Sequence, residues 1–245
     1  MLFLLFWEGA NVSGVFRFES VPPPSAIVGA LLKLLMTRTL FEEATHTISA
    51  ALVAWAIAVV IGVFFGAALG LVPALRTYAM ATVEFMRPLP PVGLVPMAML
   101  LFGFSIKTEL FVIVIAGIWP VLIGTMGGVM AVSARLRDVA QCLHLSKADM
   151  LLKVFIPAAS PSMLVGCRLS LSTSLVLAIV VEMIGNPEGL GHAVVREAQA
   201  LDRETMFAYV VIIGFLGIVF NTTLVGLSRA LLPGQFNRAG TRAGA

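Results

Sequence analysis

Side chains able to do covalent or acid–base chemistry are few and scattered in this sequence. The three histidines, His46, His144 and His192, stand far apart, with none of the close spacing of a zinc hydrolase motif. Cys142 and Cys167 are the only cysteines and lack metal-ligand or disulfide-framework spacing. None of the four lysines follows a glycine, so no phosphate-cradling loop of the Walker A kind is present, and Ser172 and Ser174 lack a G-x-S-x-G surround. No catalytic residue, bound metal or cofactor is therefore expected in this chain. Any ATP it depends on, with its magnesium, belongs to another chain.

What polar chemistry there is lies inside apolar runs. Ser170, Ser172, Thr173 and Ser174 make the stretch from Pro161 to Ile184 the richest in hydroxyls, and Glu182 and Met183 stand near its end. These six residues are candidates to line a solute pathway, although hydroxyls serve equally as hydrogen-bond donors between helices. Arg168 and Glu182 are each near enough to an end of that stretch for the side chain to reach toward water. No Asp, Glu, Lys or Arg lies between Thr47 and Val72, Leu89 and Phe104, or Leu110 and Ala131. Ion-coupled carriers bury such groups as relays because a charge at membrane depth is retained mainly for function. Their absence weighs against a carrier or channel, the main alternative class.

The elements that position these residues follow from composition. Of the 245 residues 59% are hydrophobic and 12% charged, with mean hydropathy +1.01, against about half apolar and about a quarter charged in a soluble domain. The chain is expected to be all-α and integral to a membrane. Its net charge of +3 is spread singly, with no basic run, so a nucleic-acid partner is not expected.

A helix needs roughly 20 apolar residues to cross the hydrocarbon core. Thr47 to Val72, Leu110 to Ala131, Pro161 to Ile184 and Phe207 to Leu231 satisfy this. A fifth crossing is predicted over Leu89 to Phe104 despite Pro90, Pro91, Gly93 and Pro96, residues tolerated there when neighbouring helices shield the backbone. Met1 to Phe6 is too short to span and reads as the end of a truncated first helix, so about five complete crossings are expected, six in a full protein. Residues 1–46 comprise that remnant and an outer amphipathic segment, 47–231 the transmembrane domain, and 232–245 a cytoplasmic tail.

Basic residues near helix ends favour the cytoplasm. Arg76 and Arg87, then Arg135, Arg137, Lys147 and Lys153, then Arg229, Arg238 and Arg242 fall on one side if five crossings alternate. That side is taken as cytoplasmic. Along the first full span Ala50, Ala54, Ala58, Gly62, Gly66 and Gly70 recur every four residues. Such a stripe lets another backbone approach closely, either within one subunit or between subunits.

The loop 131–160 is the most polar cytoplasmic stretch. It is predicted as two short helices, Ser133 to Leu143 and Ser146 to Ile156. Leu136, Val139, Ala140 and Leu143 keep helical spacing on one apolar face, and Ser146 with Asp149 resembles a capping box. Pro157 is predicted to end the second helix.

The segment DVAQCLHLSKADMLLKVFIPAASP, Asp138 to Pro161, resembles the EAA loop of ABC-importer permeases, which carries the coupling helix that docks on an ATPase subunit. Asp138, Val139 and Ala140 match the EAA positions, Ile156 and Pro157 the hydrophobic–Pro pair, and Leu143 and Leu145 flank His144, which stands where the family usually has glycine. The resemblance extends over nearly the whole chain and narrows to the nitrate/sulfonate/taurine-type branch: RPLPPVGLVPMAMLLFG from Arg87, GCRLSL from Gly166, VEMIGNPEGLGHAV from Val181 and LFWE from Leu5. Asn221 departs from it, since the branch commonly has an acidic residue there.

This likeness implies a type I ABC importer transmembrane domain in a bacterial inner membrane. It further implies two permease copies, two cytoplasmic ATPases, a periplasmic or lipid-anchored binding protein that delivers a small anionic solute, and lipid around the whole. A thiamine precursor or aromatic acid is the alternative solute, and a scaffolding subunit without flux the alternative role.

Overall fold

The computed structural model describes residues 6–9 and 21–231. The remnant helix expected at Met1 to Phe6, apart from Phe6, and the tail 232–245 lie outside the described residues. Among the described residues every regular element is helical. In chain order these are α1 (Pro24–Leu34), α2 (Arg38–Leu71), α3 (Pro73–Met86), α4 (Val95–Phe102), α5 (Ile106–Met130), α6 (Ala134–Cys142), α7 (Lys147–Met150), α8 (Ile156–Gly185), α9 (Leu190–Gln199) and α10 (Arg203–Leu231).

Four helices are long and apolar enough to cross a membrane: α2, α5, α8 with the turn before it, and α10. They coincide with the four runs expected from length alone, although α2 begins at Arg38 rather than Thr47. The fifth expected crossing differs in form. Pro91–Leu94 is a 3-10 turn and α4 has only 8 residues. A span arises there only if α3 and α4 count together, and that pair is bent by 84°. Pro90 and Pro91 supply no backbone N–H and pin φ, so a straight helix cannot pass through them. The segment around Arg76, between the first two predicted crossings, forms helix α3.

The core of the bundle is α2, α5 and α8, joined where side chains are smallest. A methyl group on Gly62 would lie 2.7 Å from Val121 Cβ, on Gly66 2.6 Å from the Leu122 carbonyl oxygen, and on Gly70 2.8 Å from Val129 Cβ. The stripe along α2 therefore serves packing inside this chain, against α5. On a neighbouring face of α5, Gly124 and Gly128 meet the backbone of α8 at Ser162 and Ala159. Pro120 sits inside α5, and Ser170 Oγ of α8 donates to the Gly117 carbonyl, 2.8 Å away, in the turn that Pro120 interrupts. Trp55 Nε1 donates to the Cys167 carbonyl (2.9 Å), tying α2 to α8.

The second loop helix also differs from expectation. Lys147–Met150 gives way to a π turn, Leu151–Phe155, which runs directly into α8. Pro157 opens α8 instead of ending a helix. A proline ring collides with the carbonyl four residues earlier, here Lys153, and the wider π turn spans that position.

Candidate functional site

One end of the bundle carries the loop between α5 and α8. Ser133 precedes α6, and the Leu136 N–H lies 3.4 Å from its hydroxyl. Ala140 is buried, whereas Leu136, Val139 and Leu143 are 46%, 50% and 66% exposed. Three of the four residues of the predicted apolar face therefore point away from the chain, and Asp138 is exposed beside them. After α6 the Leu145 N–H bonds back to the Ala140 carbonyl (3.3 Å) and His144 takes a left-handed φ of 51°. That is the bond pattern of a glycine-type helix C-cap, so His144 adopts the backbone conformation for which glycine is suited. Its Nδ1 lies 3.0 Å from the Cys142 carbonyl.

The next turn is capped as the sequence suggested: Ser146 Oγ accepts from the Asp149 N–H (3.1 Å) and donates to Asp149 Oδ2 (2.6 Å). Lys153 Nζ lies 2.5 Å from Asp149 Oδ1. The Lys153 ammonium first, and the Ser146 hydroxyl second, hold the Asp149 carboxyl below the usual carboxylate range. Ile156 is half-buried and Pro157 exposed at the start of α8.

The pathway candidates on α8 do not share a face. Ser170 and Ser174 are buried toward Gly117 of α5, Ser172 and Met183 are exposed, and Thr173 donates to the Leu169 carbonyl of its own helix. Ser174 Oγ and Thr125 Oγ1 have no hydrogen-bond partner. Arg168 lies on the outer surface of the bundle within the length of the α8 span and donates from Nε to Asn221 Oδ1 of α10 (3.0 Å).

Glu182 does not reach toward water. It is 1% exposed, and Thr47 Oγ1 (3.0 Å) and the Gly191 N–H (2.8 Å) both donate to its Oε2. Gly189, with φ 94°, passes so close that any side chain there would strike the carboxylate. Beside it Glu109, wholly buried, faces His46 Nε2 at 3.2 Å, and Asn186 Nδ2 contacts both Glu109 and His46. His46 Nδ1 lies 3.0 Å from Glu188. The starts of α2 and α5, the end of α8 and the loop before α9 thus converge on one polar cluster.

Sequence reasoning passed over His46, Glu109 and Asn186. A signal was present: His46, Glu109 and Glu182 each stand at the edge of an apolar run, and alternation of crossings puts those three edges on one side. A second cluster lies close by, where Arg196 of α9 bridges Glu43 (2.7 Å) and Glu197 (2.9 Å) and Tyr209 donates to Glu43 (2.6 Å). Burial draws the Arg196 pKa down, but the bonds to Glu43 and Glu197 outweigh it and hold the guanidinium above its ordinary value.

Comparison with known proteins places these features in context. Residues 58–236 match the family described as binding-protein-dependent transport system inner membrane component. The putative aliphatic sulfonates transport permease protein SsuC of Bacillus subtilis (strain 168) is 27% identical over 94% of this chain and 83% of its own. The taurine transport system permease protein TauC of Escherichia coli (strain K12) is 28% identical over 95% and 86%. The bicarbonate transport system permease protein CmpB of Synechococcus elongatus is 27% identical over 94% and 86%. Among solved structures, an inward-facing conformation of the MetNI methionine ABC transporter superposes with TM-score 0.70 at 16% identity, over 80% of this chain and 97% of that one.

Proposed function

Since the chain belongs to the family of binding-protein-dependent transport system inner membrane components, a family of ABC-importer permeases, we propose that it forms the pathway for a small anionic solute and couples to a separate ATPase through residues 131–160. The observation that carries the coupling reading is the exposed face of α6. Leu136, Val139 and Leu143 stand clear of the chain beside Asp138, while the His144 turn and the Ser146–Asp149 cap hold the helix in place. An apolar face of this kind gains free energy by burial, about 25 cal/mol for each Å² covered. A groove in an ATPase subunit would cover it.

The orientation follows from the basic residues of this loop, which put it in the cytoplasm and the His46–Glu182 end at the outer side of a bacterial inner membrane. There a periplasmic or lipid-anchored binding protein delivers the solute. A second copy of the chain completes the pathway, and two ATPases drive it. Moving such an assembly from 1:99 to 99:1 between inward and outward states takes about 5.5 kcal/mol of differential binding, which ATP supplies through the docked loops. The names of the relatives support a sulfonate, taurine or bicarbonate as solute.

The test is co-purification from detergent with the ATPase encoded beside this chain, comparing wild type with Asp138→Lys and Leu143→Glu. Retention by wild type and loss in both variants is expected. Failure of wild type to bind any such ATPase, or solute flux in proteoliposomes without one, would overturn the reading in favour of a carrier or channel.

A further inference from the structure

We propose that His46, Glu109 and Glu182 form a binding site for a divalent transition-metal ion, of the zinc class, joining the ends of α2, α5 and α8. One ligand atom from each of the three residues lies within 4.8 Å of the other two. Two ligands of a tetrahedral ion, each bonded at about 2.0–2.1 Å, stand about 3.3–3.4 Å apart. His46 Nε2 lies 3.3 and 3.2 Å from the two Glu109 oxygens, near the edge length such an ion requires.

The surroundings favour a ligand over a self-contained hydrogen-bond cluster. Glu182 Oε1 is buried with no hydrogen-bond partner, although Oε2 of the same carboxylate has two donors. A buried acceptor left bare is costly and marks a place where a group is wanted. Among the described residues neither Glu109 nor Glu182 has a lysine or arginine within ion-pair distance; Arg196 is engaged by Glu43 and Glu197. One imidazole is left to face Glu109, Glu182 and Glu188, so even as a cation it cannot balance three carboxylates. A divalent ion beside a neutral imidazole balances the two buried carboxylates, Glu109 and Glu182, and leaves only the exposed Glu188 to solvent.

The outer contacts are those a metal-bound imidazole uses. His46 Nδ1 points at Glu188 Oε2, 3.0 Å away. Donation of Nδ1–H to that carboxylate leaves Nε2 unprotonated, its lone pair turned toward Glu109 and the Asn186 amide 3.1 Å away, the carboxylate–histidine–metal arrangement that fixes tautomer and ring orientation. Asn186 Nδ2 donates to Glu109 Oε1, and Leu190 N–H to Thr47 Oγ1 (2.9 Å), which in turn holds Glu182. An open cavity of about 670 Å³ is lined by His46, Glu188 and Gly189, so the histidine side of the cluster faces open space. One imidazole and two carboxylates suit zinc, manganese or iron(II) better than calcium, which prefers oxygen throughout.

The experiment uses the full-length chain purified in detergent without a polyhistidine tag, stripped with EDTA, loaded with Zn²⁺, desalted and assayed by elemental analysis. One ion per chain is expected in wild type, with loss in His46→Ala and Glu182→Gln. Glu188→Gln should retain binding with affinity weakened about 10–100-fold. Co²⁺ loaded into wild type should show the visible absorption of a tetrahedral N/O site, a readout that does not depend on the variants folding. Folded wild type that holds no stoichiometric Zn²⁺, or that binds it equally well after both ligand changes, overturns the proposal.

Discussion

Arg168 Nε of α8 donates to Asn221 Oδ1 of α10 across 3.0 Å, at the position where the permeases this chain resembles commonly carry an acidic residue. The neutral amide makes one bond to a guanidinium that a carboxylate would engage through both charge and a forked geometry. Asn221→Asp is therefore expected to tighten α8 against α10. The gain is read as a rise in the thermal midpoint in detergent. Asn221→Leu should lower it.

Glycine positions on α2 and α5 make a paired prediction. A methyl on Gly66 would fall 2.6 Å from the Leu122 carbonyl oxygen and 2.7 Å from Thr125 Cβ, while one on Gly127 meets nothing within 4 Å. Gly66→Ala should destabilise by about 1–3 kcal/mol through overpacking. Gly127→Ala should be neutral or stabilising by about 0.5–1 kcal/mol, because alanine favours a helix interior. Thermal unfolding of the two variants side by side checks the contrast.

His144 holds a left-handed backbone that costs a non-glycine residue about 1–2 kcal/mol. His144→Gly should relax the α6 C-cap, with the gain partly offset by glycine's greater freedom when unfolded. Slower amide exchange at Leu143 and Leu145 is the expected signature. Faster exchange there would mean that the His144 contact with the Cys142 carbonyl outweighs the strain.

Acid should loosen the next turn. The folded-state pKa of Asp149 is depressed by Lys153 and Ser146, so its contribution is present above the unfolded carboxylate value, near 3.9, and is lost as pH falls through the folded one. Order in residues 146–150, followed by hydrogen exchange, should decline only at strongly acidic pH. Ser146→Ala should weaken the cap at every pH.

Tyr209 closes the second polar cluster by donating to Glu43 Oε2 at 2.6 Å. Tyr209→Phe removes that donor while Glu43 stays buried against Arg196. The expected loss is about 1–3 kcal/mol, measured as a lower thermal midpoint.

What was legible in the sequence was what depends on neighbours along the chain. Apolar run length located α2, α5, α8 and α10; i, i+3, i+4, i+7 spacing located the face of α6; and Ser146 with Asp149 located a cap made three residues apart. The small-residue stripe was visible too, but which surface it meets was settled only when Val121, Leu122, Thr125 and Val129 of α5 were found against it. Local reasoning failed at Pro90–Pro91 and Pro157. Whether a proline ends a helix, bends a pair of helices by 84° or opens a long span behind a π turn depends on what packs around the freed carbonyls.

The polar cluster was decided by tertiary structure alone. His46 and Glu109 are 63 residues apart, and Thr47 and Glu182 135 apart, so no local spacing encodes their meeting. Close packing of α2, α5 and α8 on their glycines and alanines sets the depth of each helix against the others. That common depth brings three helix-end side chains, unremarkable one by one, into a single buried site.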